Sequence, residues 1–421
     1  MPRTGEKSIF VRCGEAVTIG WSVDDRRTRP ALSECMSRPK QRQAASGPDL
    51  PPHQLIASAA AWAQCLARLQ EQPRLALDLE ANSLYAYHEE VCLIQLSIPG
   101  QDYIIDPLAP IDLAPLGELF ARPDVEKVFH AAEYDLMLVK RQFGWELNNL
   151  FDTMWAARIL GINRVGLANI LETYFDVHLD KRFQRSNWCE RPLSQAALAY
   201  AQADTHFLLA LRDKLAQELE AAGRMKEALE IFAEQTRVAP ASLTFDPDSF
   251  WTMNGIRTLS PQGKAILRAL AIYRDREAMR RNKPHFKILQ DRTLVEIARE
   301  APVHRDDLAR IPGMSSGQIQ RYGRDILRIV RENRGARAPR RPSRKPRLPQ
   351  DVLDRYELLR NWRKEKGAER GVESDVILSR DALWALARKN PTSREELNGI
   401  LGPWRASTYG DEILSLLWQQ D

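Results

Sequence analysis

The chain has 421 residues, 44% hydrophobic and 28% charged, with a net charge of +5; that length argues against a single domain and provides for two or three, each with its own core. Its five cysteines, Cys13, Cys35, Cys65, Cys92 and Cys189, are widely spaced and form no C-x-x-C pair, which excludes a zinc or C-x-x-C redox motif and fits a reducing cytoplasm. The one apolar stretch near the N-terminus, residues 8–21, is broken by Arg12 and Glu15, so neither a signal peptide nor a spanning helix is read and a cytoplasmic protein without a membrane is expected.

Residues 1–52 mix Arg, Pro, Ser and Gly without a sustained period and end in Gly47-Pro48-Asp49-Leu50-Pro51-Pro52, the composition of a disordered extension. Met36 stands inside it as an alternative start. Residues 53–235 read as one globular domain. Apolar runs at 75–80, 91–98 and 103–106, the second closing on Pro99-Gly100, predict three strands in an antiparallel meander. Helical periods follow at 113–120, 135–143, 153–160, 167–174 and 193–220, with a short strand at 125–129. A mixed sheet flanked by helices, an α/β layer fold, accommodates this order.

Residues 236–259 read as a connector, and beyond them strand signals disappear. An amphipathic helix is predicted over 260–281, with Ile266, Leu267, Leu270, Ala271 and Tyr273 on its apolar side. Ile288, Leu294, Ala298, Arg299, Pro302, Leu308, Ile311 and Gly313 recur 89 residues later as Ile377, Leu383, Ala387, Arg388, Pro391, Leu397, Ile400 and Gly402. After a slip of two, Tyr322-Gly323 returns as Tyr409-Gly410. Two copies of one small all-α bundle, 260–333 and 350–421, follow from this repeat. Between them, residues 334–349 hold seven Lys and Arg, four Pro and no acid, a basic linker that cannot bury a core. The charge divides accordingly: residues 71–220 carry 13 Lys and Arg against 23 Asp and Glu, whereas 254–421 carry 35 against 22. Concentrated carboxylates suit metal binding, and a basic half suits a polyphosphate.

Asp78 and Glu80 stand two apart on a strand, so their side chains leave the same face opposite the Leu75, Leu77 and Leu79 row. Asp135 opens a helix after His130-Ala131-Ala132-Glu133-Tyr134, and Tyr200 and Asp204 stack one turn apart on a late helix. Each has an ordinary structural reading alone. Together they resemble the three exonuclease motifs of the DEDDy group in the ribonuclease H-like superfamily. Leu93-Ile94-Gln95-Leu96, Ile105-Asp106-Pro107-Leu108, Phe151-Asp152-Thr153 and the run from Lys181 through Trp188 to Ser194 narrow the resemblance to ribonuclease D and the exosome-associated nuclear exonuclease. Asn187 departs from the pattern, which more often has Asp before the Trp.

The resemblance implies a 3′→5′ exoribonuclease that removes 3′-terminal nucleotides from structured RNA such as tRNA precursors and releases nucleoside 5′-monophosphates. It also implies two divalent ions, Mg²⁺ or Mn²⁺, one activating water and one holding the leaving oxygen, which hard carboxylate donors suit. Asp78, Glu80, Asp135 and Asp204 would hold metal, and Tyr200 would orient the attacking water. His130 and Asp152 are read as structural, Asp152 as a helix cap. The helical repeats resemble HRDC domains. RNA is the expected partner and no protein partner is readable; Lys181, Gln184, Trp188 and Arg191 near the site, and Arg280 and Arg281 in the first repeat, are candidates to contact it. Docking of the basic repeats on the acidic domain is expected beside that role. A DNA-directed exonuclease of the same chemistry and a catalytically silent nucleic-acid-binding adaptor are the alternatives.

Overall fold

The computed structural model describes residues 48–240, 242–342 and 348–418; most of the predicted extension and the centre of the predicted basic linker lie outside them. Six strands, β1 (Gln54–Ile56), β2 (Arg74–Ala81), β3 (Val91–Ile98), β4 (Gln101–Ile105), β5 (Glu126–Phe129) and β6 (Leu150–Asp152), form one mixed sheet in the order β1-β4-β3-β2-β5-β6. The expected meander is present: β2, β3 and β4 pair antiparallel, and Gly100 at φ 78° makes the tight turn between β3 and β4. Parallel pairs then add β1 to β4, β5 to β2 and β6 to β5. With β2 enclosed between β3 and β5, its Leu75, Leu77 and Leu79 are buried in the main core.

Helices α1 (Ala59–Gln70), α2 (Ala114–Ala121), α3 (Glu133–Phe143), α4 (Thr153–Ile159), α5 (Leu167–Phe175), α6 (Gln195–His206), α7 (Leu208–Ala221) and α8 (Met225–Gln235) surround the sheet. The single helix expected over 193–220 is two, separated at Phe207. A straight helix of that length would run about 40 Å. The break instead lets α6 lie across β2, β3 and β4 while α7 turns to β5 and α4.

The second half is all helical. Helices α9 (Pro261–Arg281), α10 (His285–Ile288), α11 (Asp291–Glu300), α12 (Arg305–Ala309) and α13 (Ser316–Asn333) are matched in order by α14 (Gln350–Arg370), α15 (Ser374–Ile377), α16 (Arg380–Lys389), α17 (Arg394–Asn398) and α18 (Pro403–Trp418). The copies agree in detail. Arg274 donates to the Leu289 carbonyl at 3.0 Å and Arg363, 89 residues on, donates to the Leu378 carbonyl at 2.9 Å. Each third helix ends on a left-handed residue, Ala301 in the first copy and Asn390 in the second, both at φ 45°. Phe250, Met253, Ile256 and Leu259, read as connector, pack into the first bundle's core. Among the described residues no helix is long and apolar enough to cross a membrane.

Both bundles dock on the α/β domain. The second does so through ion pairs: Arg370 on Glu227 (2.7 Å from each guanidinium nitrogen), Arg405 on Glu234 (2.5 Å) and Arg158 on Asp375 (2.6 Å). Glu230 also accepts from the Trp404 amide at the start of α18 (2.6 Å). The first bundle meets the loop after β2, where the Tyr87 hydroxyl donates to Asp275 (2.5 Å), the Tyr87 amide donates to Asn282 (3.0 Å), and Lys287 lies 3.9 Å over the Tyr85 ring.

Candidate active site

Strand periodicity places Asp78 and Glu80 on one face of β2 and leaves the leucines on the other. That face is roofed by α6, whose Tyr200 and Asp204 lie one turn apart on it. One carboxylate oxygen from each of Asp78, Glu80 and Asp204 lies within 4.8 Å of the others. Tyr200 is hydrogen-bonded to Asp204 and packs against Trp188 and Phe183, with ring centroids 5.8 and 5.9 Å away.

The roof helix is fixed by a polar cluster that sequence reasoning missed. The buried Asp102 carboxylate accepts from Gln202 Nε2 (2.6 Å) and the Ser97 hydroxyl (2.6 Å) and faces His206 Nδ1 at 2.7 Å. Ser97 also meets Thr205 at 2.8 Å. Three side chains of α6 thus hold two strands, which sets the rotation that aims Tyr200 and Asp204 at β2. Burial opposes ionisation of Asp102, but bonds from His206, Ser97 and Gln202 overcome it and hold its carboxyl below the usual range. Polar residues scattered between Ser97 and His206 share no period, so only the fold brings them together.

Asp135 enters from the first turn of α3 and is 8% exposed. The turn before it is set by Asp152, whose carboxylate accepts from the amides of Ala131 (3.1 Å) and Ala132 (2.8 Å) and also from those of Met154 (2.9 Å) and Trp155 (3.2 Å). Asp152 therefore caps α4, as expected, and in addition holds Ala131 at φ 63°. His130 Nδ1 lies 3.0 Å from the Thr153 hydroxyl, which bonds the Phe129 carbonyl (3.0 Å). Burial pushes the imidazole down to about 4, so it is neutral and structural.

The carboxyls are held against ionisation. Burial pushes Asp78 up to about 7, and burial with the charges of Asp78, Asp204 and Asp135 pushes Glu80 up to about 10. Asp135 and Asp204 are raised by burial first and by the Asp78 charge second. Burial and the same negative groups raise the Tyr200 hydroxyl, which stays a proton donor. No basic side chain among the described residues contributes a compensating charge to the three converging carboxyls or to Asp135. Uncompensated, half-buried carboxylates fit a hard divalent cation, which supplies the missing positive charge through oxygen donors.

The other candidates fall into different settings. Lys181 and Gln184 are exposed. Trp188 is 1% exposed, so the stacking on RNA expected of it is replaced by packing under Tyr200. Arg191 spends its guanidinium on Asp106 (2.7 Å, two bonds) and on the Cys92 and Trp188 carbonyls. Arg280 and Arg281 both pair with Glu277, and Arg281 also covers the Tyr322 ring. Asn187 bonds Glu190 (2.9 Å). Cys92 and Cys189 are joined in a disulfide that ties the Trp188 loop to β3, against the reading of these cysteines as thiols of a reducing compartment. Cys65 is free and buried, its thiol pushed up to about 12 by burial.

A family model described as 3′-5′ exonuclease matches residues 54–220, and the HRDC domain model matches 263–330 and 352–417. Ribonuclease D of Gluconacetobacter diazotrophicus is 35% identical over 356 residues, 83% of this chain and 88% of its own. The chain belongs to the ribonuclease D family. Ribonuclease D of Acidiphilium cryptum is 32% identical over 377 residues, covering 88% of this chain and 94% of its own. The crystal structure of Escherichia coli RNase D, described as an exoribonuclease involved in structured RNA processing, covers 88% of this chain and 99% of its own at 25% identity and a TM-score of 0.62. The catalytic core of RRP6 from Trypanosoma brucei covers 68% and 80% at 26% identity, also with a TM-score of 0.62. This member of the ribonuclease D family is a hydrolytic 3′→5′ exoribonuclease with an α/β exonuclease domain and two HRDC domains. The family's metal dependence is matched by the acidic group of Asp78, Glu80 and Asp204.

Proposed function

We propose that the enzyme removes 3′-terminal nucleotides one at a time from structured RNA such as tRNA precursors, releasing nucleoside 5′-monophosphates. The observation that carries this reading is the convergence of Asp78, Glu80 and Asp204 within 4.8 Å beside the Tyr200 hydroxyl. Two divalent ions, Mg²⁺ or Mn²⁺, would supply activation of water and charge neutralisation at the phosphorane.

Asp78, Glu80 and Asp204 are the donors suited to hold them, with Asp135 acting from the start of α3. Tyr200 keeps its proton and, with Asp204 fixing the direction of its hydroxyl, orients the attacking water. The Asp102 and Gln202 cluster holds the helix still, and Trp188 keeps the Tyr200 ring from turning away. The basic bundles raise the local concentration of a polyanionic strand beside an acidic domain.

The test is an end-labelled RNA with a 3′ extension beside a DNA strand of the same sequence, in Mn²⁺. The RNA should shorten from its 3′ end and Asp204→Asn should abolish shortening. Unimpaired shortening by that variant overturns the assignment of the site, and preferential loss of the DNA strand transfers the function to the DNA-directed alternative.

A further inference from the structure

A small cavity of about 130 Å³ opens against Tyr200 and Asp204. One wall is α6 itself, through Ala196, Ala199 and Ala203; Leu179 adds to the lining, and Asp180 and Arg182, paired at 2.6 Å, complete it. Pro48 and Leu50 line it as well. These two residues precede the region matched by the exonuclease family model, which begins at residue 54.

Their placement is built. Gln202, 2% exposed, donates to the Pro51 carbonyl at 2.8 Å, and its side-chain oxygen faces His53 Nδ1 at 3.0 Å. The same amide is held from the other side by Asp102. Pro51-Pro52 restricts the preceding backbone to extended conformations, and β1 then anchors the chain to β4. A segment pinned at 51–56 and stiffened by two prolines brings Leu50 to the mouth of the site as a half-buried apolar side chain.

The cavity has cleavage chemistry at one end, aliphatic carbon from Pro48, Leu50, Leu179 and three alanines along most of its sides, and the Asp180–Arg182 pair, whose charges are spent on each other, on the remainder. A phosphate gains little from aliphatic walls and from a guanidinium already paired with Asp180, whereas the flat face of a nucleobase gains from the apolar surface. Its volume leaves room for a group of about the size of one base. We infer that Pro48 and Leu50 form a wall of the pocket that takes the base of the nucleotide being removed, making this N-terminal segment a specificity-determining part of the enzyme. This rests on the reading of the site as an RNA 3′-end hydrolase.

The test uses the full chain in Mn²⁺ and calorimetric binding of AMP, with ribose 5-phosphate as a probe that lacks the base. Leu50→Trp fills the cavity and should weaken AMP by roughly tenfold or more, and Leu50→Ala, which removes part of one wall, by about threefold. Ribose 5-phosphate binding and the Mn²⁺-induced rise in melting temperature should be the same as in the unaltered protein. If Leu50→Trp loses the Mn²⁺ response through misfolding, Leu50→Ala decides. AMP bound within twofold of the unaltered protein by a folded Leu50→Trp, or ribose 5-phosphate weakened as much as AMP, overturns the inference. Failure of the unaltered protein to shorten RNA while AMP binding still depends on Leu50 overturns the proposed function and leaves the pocket standing.

Discussion

Replacing Arg370 by Met breaks the ion pair that fastens the second HRDC domain to the exonuclease domain. Glu227 is 1% exposed and receives both guanidinium nitrogens at 2.7 Å; without them its carboxylate has no route to water. Removing one partner of such a pair costs about 3–5 kcal/mol, chiefly because the remaining charge is buried alone. The lost bond to the Tyr409 hydroxyl (2.7 Å) adds about 1 kcal/mol. Replacing Glu227 by Met as well removes the stranded charge, so the double variant should recover most of the loss, and the Tyr409 contribution cancels between the two. Hydrogen exchange of amides in α8 and α14 reads the opening directly. Arg370→Met should speed it by two to four orders of magnitude if opening of the docked face governs exchange, at about 1.4 kcal/mol per tenfold. Less than a tenfold change, or a double variant no slower to exchange than the single one, would refute burial of Glu227 as the source of the cost.

Two further outcomes follow from the site. Because Asp78 is pushed up to about 7, the folded protein binds that proton more tightly than the unfolded chain does. The stability this confers is complete below about pH 4 and is lost as pH rises through about 7, so metal-free protein should weaken over that window by up to about 4 kcal/mol. Asp78→Asn should be inactive yet melt higher than the unaltered protein at pH 8 in EDTA, and equal melting temperatures there would count against a buried, proton-holding Asp78. Trp188→Ala should cost about 3–5 kcal/mol in urea unfolding and lower kcat through the unsupported Tyr200 ring; a raised KM with unchanged stability would mean that the ring meets RNA after all.

What could be read in the chain was whatever repeats at a short period or a fixed offset. Asp78 and Glu80 announce themselves by alternation against three leucines, Tyr200 and Asp204 by one helical turn, and the twin bundles by an offset of 89 residues. Strands β1 and β6, three residues each, are too short to show alternation. The break at Phe207 falls within a continuous helical pattern and is visible only where α6 packs on β2, β3 and β4 and α7 on β5 and α4. The pairing of Cys92 with Cys189 and the meeting of Ser97, Asp102 and Gln202 depend on sheet register, which no local window contains. Trp188 illustrates the same limit in reverse. A tryptophan amid Lys, Arg and Gln resembles a stacking platform until its burial is known.

The two bundles also form an internal comparison of backbone strain. At the close of the third helix the first copy forces alanine into the left-handed region, where a Cβ costs on the order of 1–2 kcal/mol, and the second copy uses asparagine, which tolerates it. One duplicate thus already carries the repair for a flaw the other retains. The left-handed closure is therefore less strained in the second bundle, and a donor residue for improving the first is written 89 positions downstream in the same polypeptide.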